Sequence, residues 1–364
     1  MFLNWSMRLI AGALWLICNL QAIEYSYPVA IDQENAPFYI HQKSLSDLDL
    51  WQYCPQASGQ TKCLYWRFLP AGLKLLPDRS GFSFIDSNRL RLKKFIKRSP
   101  RSVDFDQPVY GVSEVNWLDN NICYFSAKQK EHFAIFYGDV KSSNLACVYQ
   151  VAKTECLSPR IIANCLFCIE RSSADRSCGI TMQSAPIVTE ISDDYKFKPA
   201  EPSQLVVDCG YQQIIYLEML SPQLGFYIEH MPYIQDHSGM ITFICHQLVG
   251  PACWRAKPIF KFQVPKKYLF GEERLCESIM PFLPRWKKTV LYFSDIKQTA
   301  SGEYYSSLHS YDLMACKFNT ILTSIPPVIF FAPLPSDHDI FYGIIKDKIG
   351  EEVKIASIKI PDQN

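Results

Sequence analysis

Pro281-Phe-Leu-Pro-Arg-Trp-Lys-Lys-Thr-Val-Leu-Tyr-Phe-Ser-Asp295, followed by Leu308-His-Ser-Tyr-Asp-Leu313, decides the fold. A short strand ending at a Pro-containing turn comes first. Thr289 to Phe293, β-branched and aromatic, then form a strand, Ser294-Asp295 open a polar loop, and a second strand runs through Leu308 to Leu313. If this hairpin module recurs along the chain, the architecture follows from it.

It does recur. Centred on an aromatic or apolar residue in the second strand, copies fall at Phe84, Tyr124, Phe167, Val207, Phe243, Tyr292 and Phe341, spaced 36 to 49 residues apart. Several short strands repeating every ~40–45 residues are the mark of sheets arrayed around an axis. A following strand is visible after most centres, as in Arg89-Leu-Arg-Leu-Lys93, His132 to Tyr137, Gln213 to Leu217, Pro258 to Phe262 and Val353 to Ile358. In Arg89 to Lys93 the two leucines share one face and the basic residues the other. The copies at Val207 and Phe243 lack a Pro-Asp turn.

The Pro-containing turn, the strand ending Phe293-Ser294-Asp295 and the later strand ending in Asp312-Leu313 resemble the repeat of TolB-like and WD-repeat-like β-propellers. His309 stands where that repeat carries a tyrosine. The resemblance covers roughly Leu73 to Ile360 and implies an all-β propeller of seven blades, or six if the Val207 and Phe243 copies merge. Residues 23–72 are expected to supply strands completing the last blade, with Cys63 to Phe68 closing the ring, and residues 73–364 to form the propeller itself. TolB proper has an α/β domain before its propeller, which the strand-like pieces of residues 23–72 cannot supply. The Gly-His and Trp-Asp pairs of intracellular WD repeats are absent.

Residues 1–22 read as a secretory signal peptide: Arg8 supplies the positive region, Leu9 to Cys18 the apolar core and Leu20-Gln21-Ala22 the cleavage site. Ten apolar residues fall short of the ~20 that span a bilayer, so no transmembrane segment is expected. Asn-x-Ser/Thr occurs only at Asn4, inside this signal, which favours a bacterial source and a periplasmic or secreted location. Lys+Arg 37 against Asp+Glu 36 leaves no net field to draw the protein to nucleic acid.

Of 14 cysteines, 13 remain after the signal, which in an exported protein points to disulfides. Cys54/Cys63, Cys147/Cys156, Cys168/Cys178 and Cys245/Cys253 are spaced as hairpin staples, each worth about 2–3 kcal/mol. Cys165-Leu-Phe-Cys168 has the redox spacing, but in a strand positions i and i+3 face opposite sides, so two separate structural cysteines are expected.

No catalytic constellation is complete. A Gly-x-Ser-x-Gly nucleophile elbow is absent. Pro77 to Gly81 and Ala174 to Gly179 resemble sialidase turns with the glycine misplaced, and read as plain blade turns. Asp337, His338 and Asp339 could hold a metal or act as acid and base, or form a polar turn. Arg89, Arg91, Lys93 and Lys94 open a basic run that either meets an anionic partner or guards an outer edge. Ser294-Asp295 and Tyr311-Asp312 read as turn chemistry. No cofactor or metal site is expected. The expected role is a binding or scaffold protein engaging another protein, with a hydrolase or lyase of a glycan or lactone as the alternative.

Overall fold

The computed structural model describes residues 25–31, 37–44, 47–53, 61–66, 71–78, 80–86, 89–94, 101–105, 109–112, 115–129, 132–151, 153–172, 177–184, 204–210, 213–230, 239–250, 253–266, 283–325, 328–333, 340–345 and 354–359. Every sheet in these ranges is antiparallel, built from strands consecutive in sequence. The first sheet holds β1 to β4 (Tyr25–Ile31, Pro37–Ser44, Asp47–Tyr53, Thr61–Trp66), and the second β5 to β8 (Ala71–Leu75, Gly81–Asp86, Arg89–Lys94, Arg101–Val103). The third holds β9 to β12 (Val115–Trp117, Ile122–Gln129, His132–Asp139, Leu145–Tyr149), and the fourth β13 to β16 (Thr154–Ile162, Cys165–Ser172, Cys178–Ser184, Gln204–Asp208). The fifth holds β17 to β20 (Gln213–Ser221, Leu224–His230, Met240–Val249, Arg255–Pro265), and the sixth β21 to β24 (Arg285–Lys287, Val290–Gln298, Tyr304–Asp312, Lys317–Ile325). The seventh is β25 to β27 (Val328–Pro333, Ile340–Ile345, Lys354–Lys359). Among the described residues there is no α-helix.

The strands alternate in a way that buries both faces of a sheet. In β10, Ile122 and Tyr124 enter the core shared with the fourth sheet, while Cys123 and Phe125 enter the core shared with the second. In β14, Leu166 and Cys168 face the third sheet, and Phe167 and Ile169 the fifth. In β18, Tyr227 faces the fourth sheet, and Phe226 and Ile228 the sixth. Each fully buried side chain of this size contributes about 1.5–3 kcal/mol. The second to sixth sheets are thus stacked face to face in chain order.

Hydrogen bonds across the seams show that neighbouring sheets run the same way. Trp117 Nε1 donates to Ser83 Oγ at 3.0 Å, Asn116 Nδ2 to the Pro159 carbonyl at 3.5 Å, and Gln247 Nε2 to the Leu313 carbonyl at 2.7 Å. The first and last lie near strand ends on one side, where the first and third strands of a sheet end and the second and fourth begin. We call this the turn side. The second joins β9 to the later half of β13, and across the fourth–fifth seam the Phe167 ring near the start of β14 meets Trp254 just before β20 at 5.6 Å. At the far ends of the fold, β1 lies beside both β5 and β25.

Three expectations need correction. Phe84, Tyr124, Phe167, Tyr292 and Phe341 are indeed on second strands, but Phe243 is on the third strand β19 and Val207 on the fourth strand β16, in the same sheet as Phe167. β1 to β4 form a sheet of their own, and Thr61–Trp66 pairs with β3 rather than with the last sheet. In the opening stretch Pro284 precedes the short strand β21, and the turn is Lys288-Thr289, with Lys288 at φ 55.

Candidate functional site

Arg160 on β13 and Glu218 on β17 form an ion pair across a seam, Nε to Oε2 3.2 Å, with side chains 5% and 13% exposed. Tyr216 Oη donates to the same carboxylate oxygen at 2.8 Å, and the guanidinium lies over the Tyr216 ring at 5.3 Å. Arg160 also donates from Nη1 to the Pro159 carbonyl at 2.9 Å. Tyr216 packs on Phe226 in the core toward the sixth sheet, whereas Arg160 comes from the fourth. The three groups therefore meet at the free edge of β17, the first strand of its sheet. Chemically the Arg160 guanidinium is engaged by the Glu218 carboxylate and the Pro159 carbonyl, which suits a role in joining the sheets.

A second polar cluster lies in the seam between the fourth and fifth sheets. The Tyr227 and His246 rings stack at 4.6 Å and 4°, and His246 Nε2 is 2.9 Å from Glu229 Oε2. That contact lies off the ring's hydrogen-bonding direction, and Glu229 Oε1 has no hydrogen-bond partner. The Cys209 thiol donates to Tyr227 Oη at 3.9 Å. Burial pushes the Glu229 carboxyl and the Tyr227 phenol up and the His246 imidazole down. Burial also pushes the Cys209 thiol up to about 12, so at neutral pH it is not a thiolate nucleophile.

The turn side carries an apolar rim. Of the six large apolar residues exposed among those described, five lie there: Leu118 after β9, Leu205 opening β16, Val249 ending β19, Met314 in the β23–β24 turn and Phe318 opening β24. Met314 is 70% and Leu205 57% exposed, and the third, fourth, fifth and sixth sheets each contribute at least one. Only Tyr110, bridged to Lys128, is on the opposite side.

Arg89, Arg91, Lys93 and Lys94 lie on β7, the third strand of its sheet, whose centre pairs with β8. It is thus not an outer edge. Leu90 is buried and Arg91 half-buried, while the side chains of Arg89, Lys93 and Lys94 lie outside the described residues, as do Asp337, His338 and Asp339. Either side of the expected turn at Pro77 to Gly81, Asp78 Oδ1 accepts from Ser80 N at 3.0 Å and Leu76 N donates to the Gly81 carbonyl at 2.9 Å, as turn chemistry requires. Asp312 accepts from Met314 N at 2.8 Å and Ala315 N at 3.1 Å, as turn chemistry requires. Asp295 instead sits within β22 and accepts Gln263 N at 3.0 Å, joining the fifth and sixth sheets. Among the described residues no cluster of His, Cys, Asp or Glu could hold a metal, and no helix is long and apolar enough to cross a membrane.

None of the expected pairs is bonded among the described cysteines. Cys168 stands opposite Thr181 and Cys178 opposite Arg171, three positions or ~10 Å apart along the ladder, too far for a disulfide. Cys245 is buried mid-strand opposite Phe260, whereas Cys253 is exposed beyond the strand end at Val249. Cys156 instead meets Cys168, whose thiol also lies 3.4 Å from Thr181 Oγ1. Cys147, on the adjoining β12, remains near Cys156. Cys54 is outside the described residues, as is the side chain of Cys63. Cys165 and Cys168 do face different cores.

No protein-family model matches the chain, and no curated protein does. Solved structures share its fold. Puromycin hydrolase is similar over 93% of this chain and 53% of its own, at 11% identity and TM-score 0.60. A puromycin-hydrolysing peptidase of Mycobacterium tuberculosis covers 93% and 51%, at 10% identity and TM-score 0.54. Oligogalacturonate lyase of Vibrio parahaemolyticus covers 93% and 91%, at 10% identity and TM-score 0.52. The chain spans about half the length of the puromycin-hydrolysing enzymes and nearly all of the lyase. At such identities the likeness is one of fold, and with the stacked antiparallel sheets it supports a propeller type.

Proposed function

We propose that the chain is an exported binding or scaffold module, a closed seven-bladed propeller whose turn-side rim docks another protein. The rim carries this reading: exposed apolar side chains gathered on one side mark interaction surfaces, whereas isolated ones mean little. The seven sheets and the neighbourhood of β1 and β25 support closure of the ring, which shields sheet edges. The signal-like residues 1–22 support export. The test is capture of partners from envelope and extracellular fractions, comparing the full chain with a Leu205→Ser, Val249→Ser, Met314→Ser variant. Proteins retained by the first and lost by the second, at unchanged thermal stability, are expected. Identical sets would remove the rim from the account.

A second reading is a propeller hydrolase or lyase of a glycan or lactone. It is favoured by the match over nearly the whole length of the lyase. Incubation with oligogalacturonates, followed by the ultraviolet absorbance of unsaturated product, separates the two readings.

A further inference from the structure

Cys178 and Cys209 face each other at the end of the β15–β16 ladder. The last register pair is Gly179 with Asp208, so the next is Cys178 with Cys209. Backbone bonds fix this: Cys209 N donates to the Cys178 carbonyl at 2.9 Å and Cys178 N to the Gly210 carbonyl at 2.8 Å. Gly210 takes φ 56 as the extra residue of the turn, supported by Asp208 Oδ1 on its N–H at 2.9 Å. Directly paired residues in such a ladder have Cα atoms ~5.5 Å apart, inside the span a disulfide bridges. Both side chains also point the same way. Cys178 is part of the core between the fourth and fifth sheets, and Cys209 packs against that core.

We propose that Cys178 and Cys209 form a cross-strand disulfide that clamps the outermost strand β16 to β15 across the connection of residues 185–203. The oxidant is an external disulfide of the glutathione type. The Cys209 thiolate, from the less buried of the two thiols, attacks one of its sulfurs and releases one thiol. The Cys178 thiolate then attacks Cys209 sulfur in the mixed disulfide and releases the second. Two protons and two electrons pass from the cysteine pair to the two released thiols. In the folded chain burial holds the Cys209 thiol protonated, so closure accompanies folding rather than following it. This inference uses neither the rim nor any ligand, so it stands or falls apart from the binding role.

The experiment refolds the reduced full chain in a reduced/oxidised glutathione mixture, alkylates remaining thiols, digests without reductant and maps the peptides by mass. Expected is a Cys178–Cys209 linked peptide, two hydrogens lighter than its separated halves and absent from Cys209→Ser. Reduction should lower the melting temperature of the wild-type protein and leave Cys209→Ser unmoved. The wild-type map decides even if the variant folds poorly. Alkylation of both cysteines after oxidation, or linkage of Cys178 to another cysteine, overturns the proposal.

Discussion

Arg160 Nε lies 3.2 Å from Glu218 Oε2, joining two sheets through first strands that make no ladder with each other. A buried pair of this kind costs about 3–5 kcal/mol when one partner is removed, because the other charge stays buried alone. Arg160→Met and Glu218→Leu are therefore each expected to destabilise on that scale in urea unfolding. The double variant should lose far less than the sum. Additive losses would mean that the two charges do not interact.

Acid should weaken the fold before carboxylates titrate. Burial lowers His230, His246 and His309 from 6.5, so below about pH 6.5 the unfolded chain takes up protons that the folded chain refuses. The stability these neutral imidazoles contribute is present above 6.5 and lost as pH falls through their folded values. Glu229 runs the other way: its raised value gives stability present at low pH and lost as pH rises through it. His309 lies between Phe293 and Phe318 at 5.2 and 5.1 Å, with Thr320 Oγ1 3.1 Å from Nδ1 and Asp295 and Lys297 nearby. His309→Gln should flatten the fall in melting temperature between pH 6.5 and 5. An unchanged slope would remove His309 from the explanation.

How much was readable from the residues differs between fold and site. The strand centres Phe84, Tyr124, Phe167, Tyr292 and Phe341 were legible as a repeat of about 43 residues, and each does lie on a second strand. Strand position within a sheet was not readable, because Val207 on a fourth strand and Phe243 on a third carry the same apolar signature as a second-strand centre. Uneven connections such as 185–203 and 267–282 further disguised which strands belong together. The Arg160–Glu218 pair is 58 residues apart, beyond any motif spacing. One signal for it existed: a lone carboxylate inside an apolar run, as Glu218 is in Ile214 to Leu220 and Glu229 in Phe226 to Ile228 and beyond.

Two glycines leave no room for a methyl group, Gly225 within the β17–β18 ladder and Gly138 at the seam with the second sheet. A Cβ on Gly225 would sit 2.5 Å from the Glu218 carbonyl oxygen, and one on Gly138 would sit 2.5 Å from the Phe105 ring. Alanine at either position should cost about 1–3 kcal/mol through overpacking. Gly225→Ala should be the worse of the two, since a backbone oxygen yields less than a ring. Thermal unfolding of the two variants orders them.

The docking claim is tested most directly by a photo-cross-linking amino acid placed at Met314 on the turn side and, separately, at Tyr110 on the opposite side. Irradiation of the full chain in envelope extracts should give a discrete adduct with another protein from position 314 and none from position 110. Adducts from 110 alone, or from neither while oligogalacturonate is consumed, would contradict a binding role for the rim.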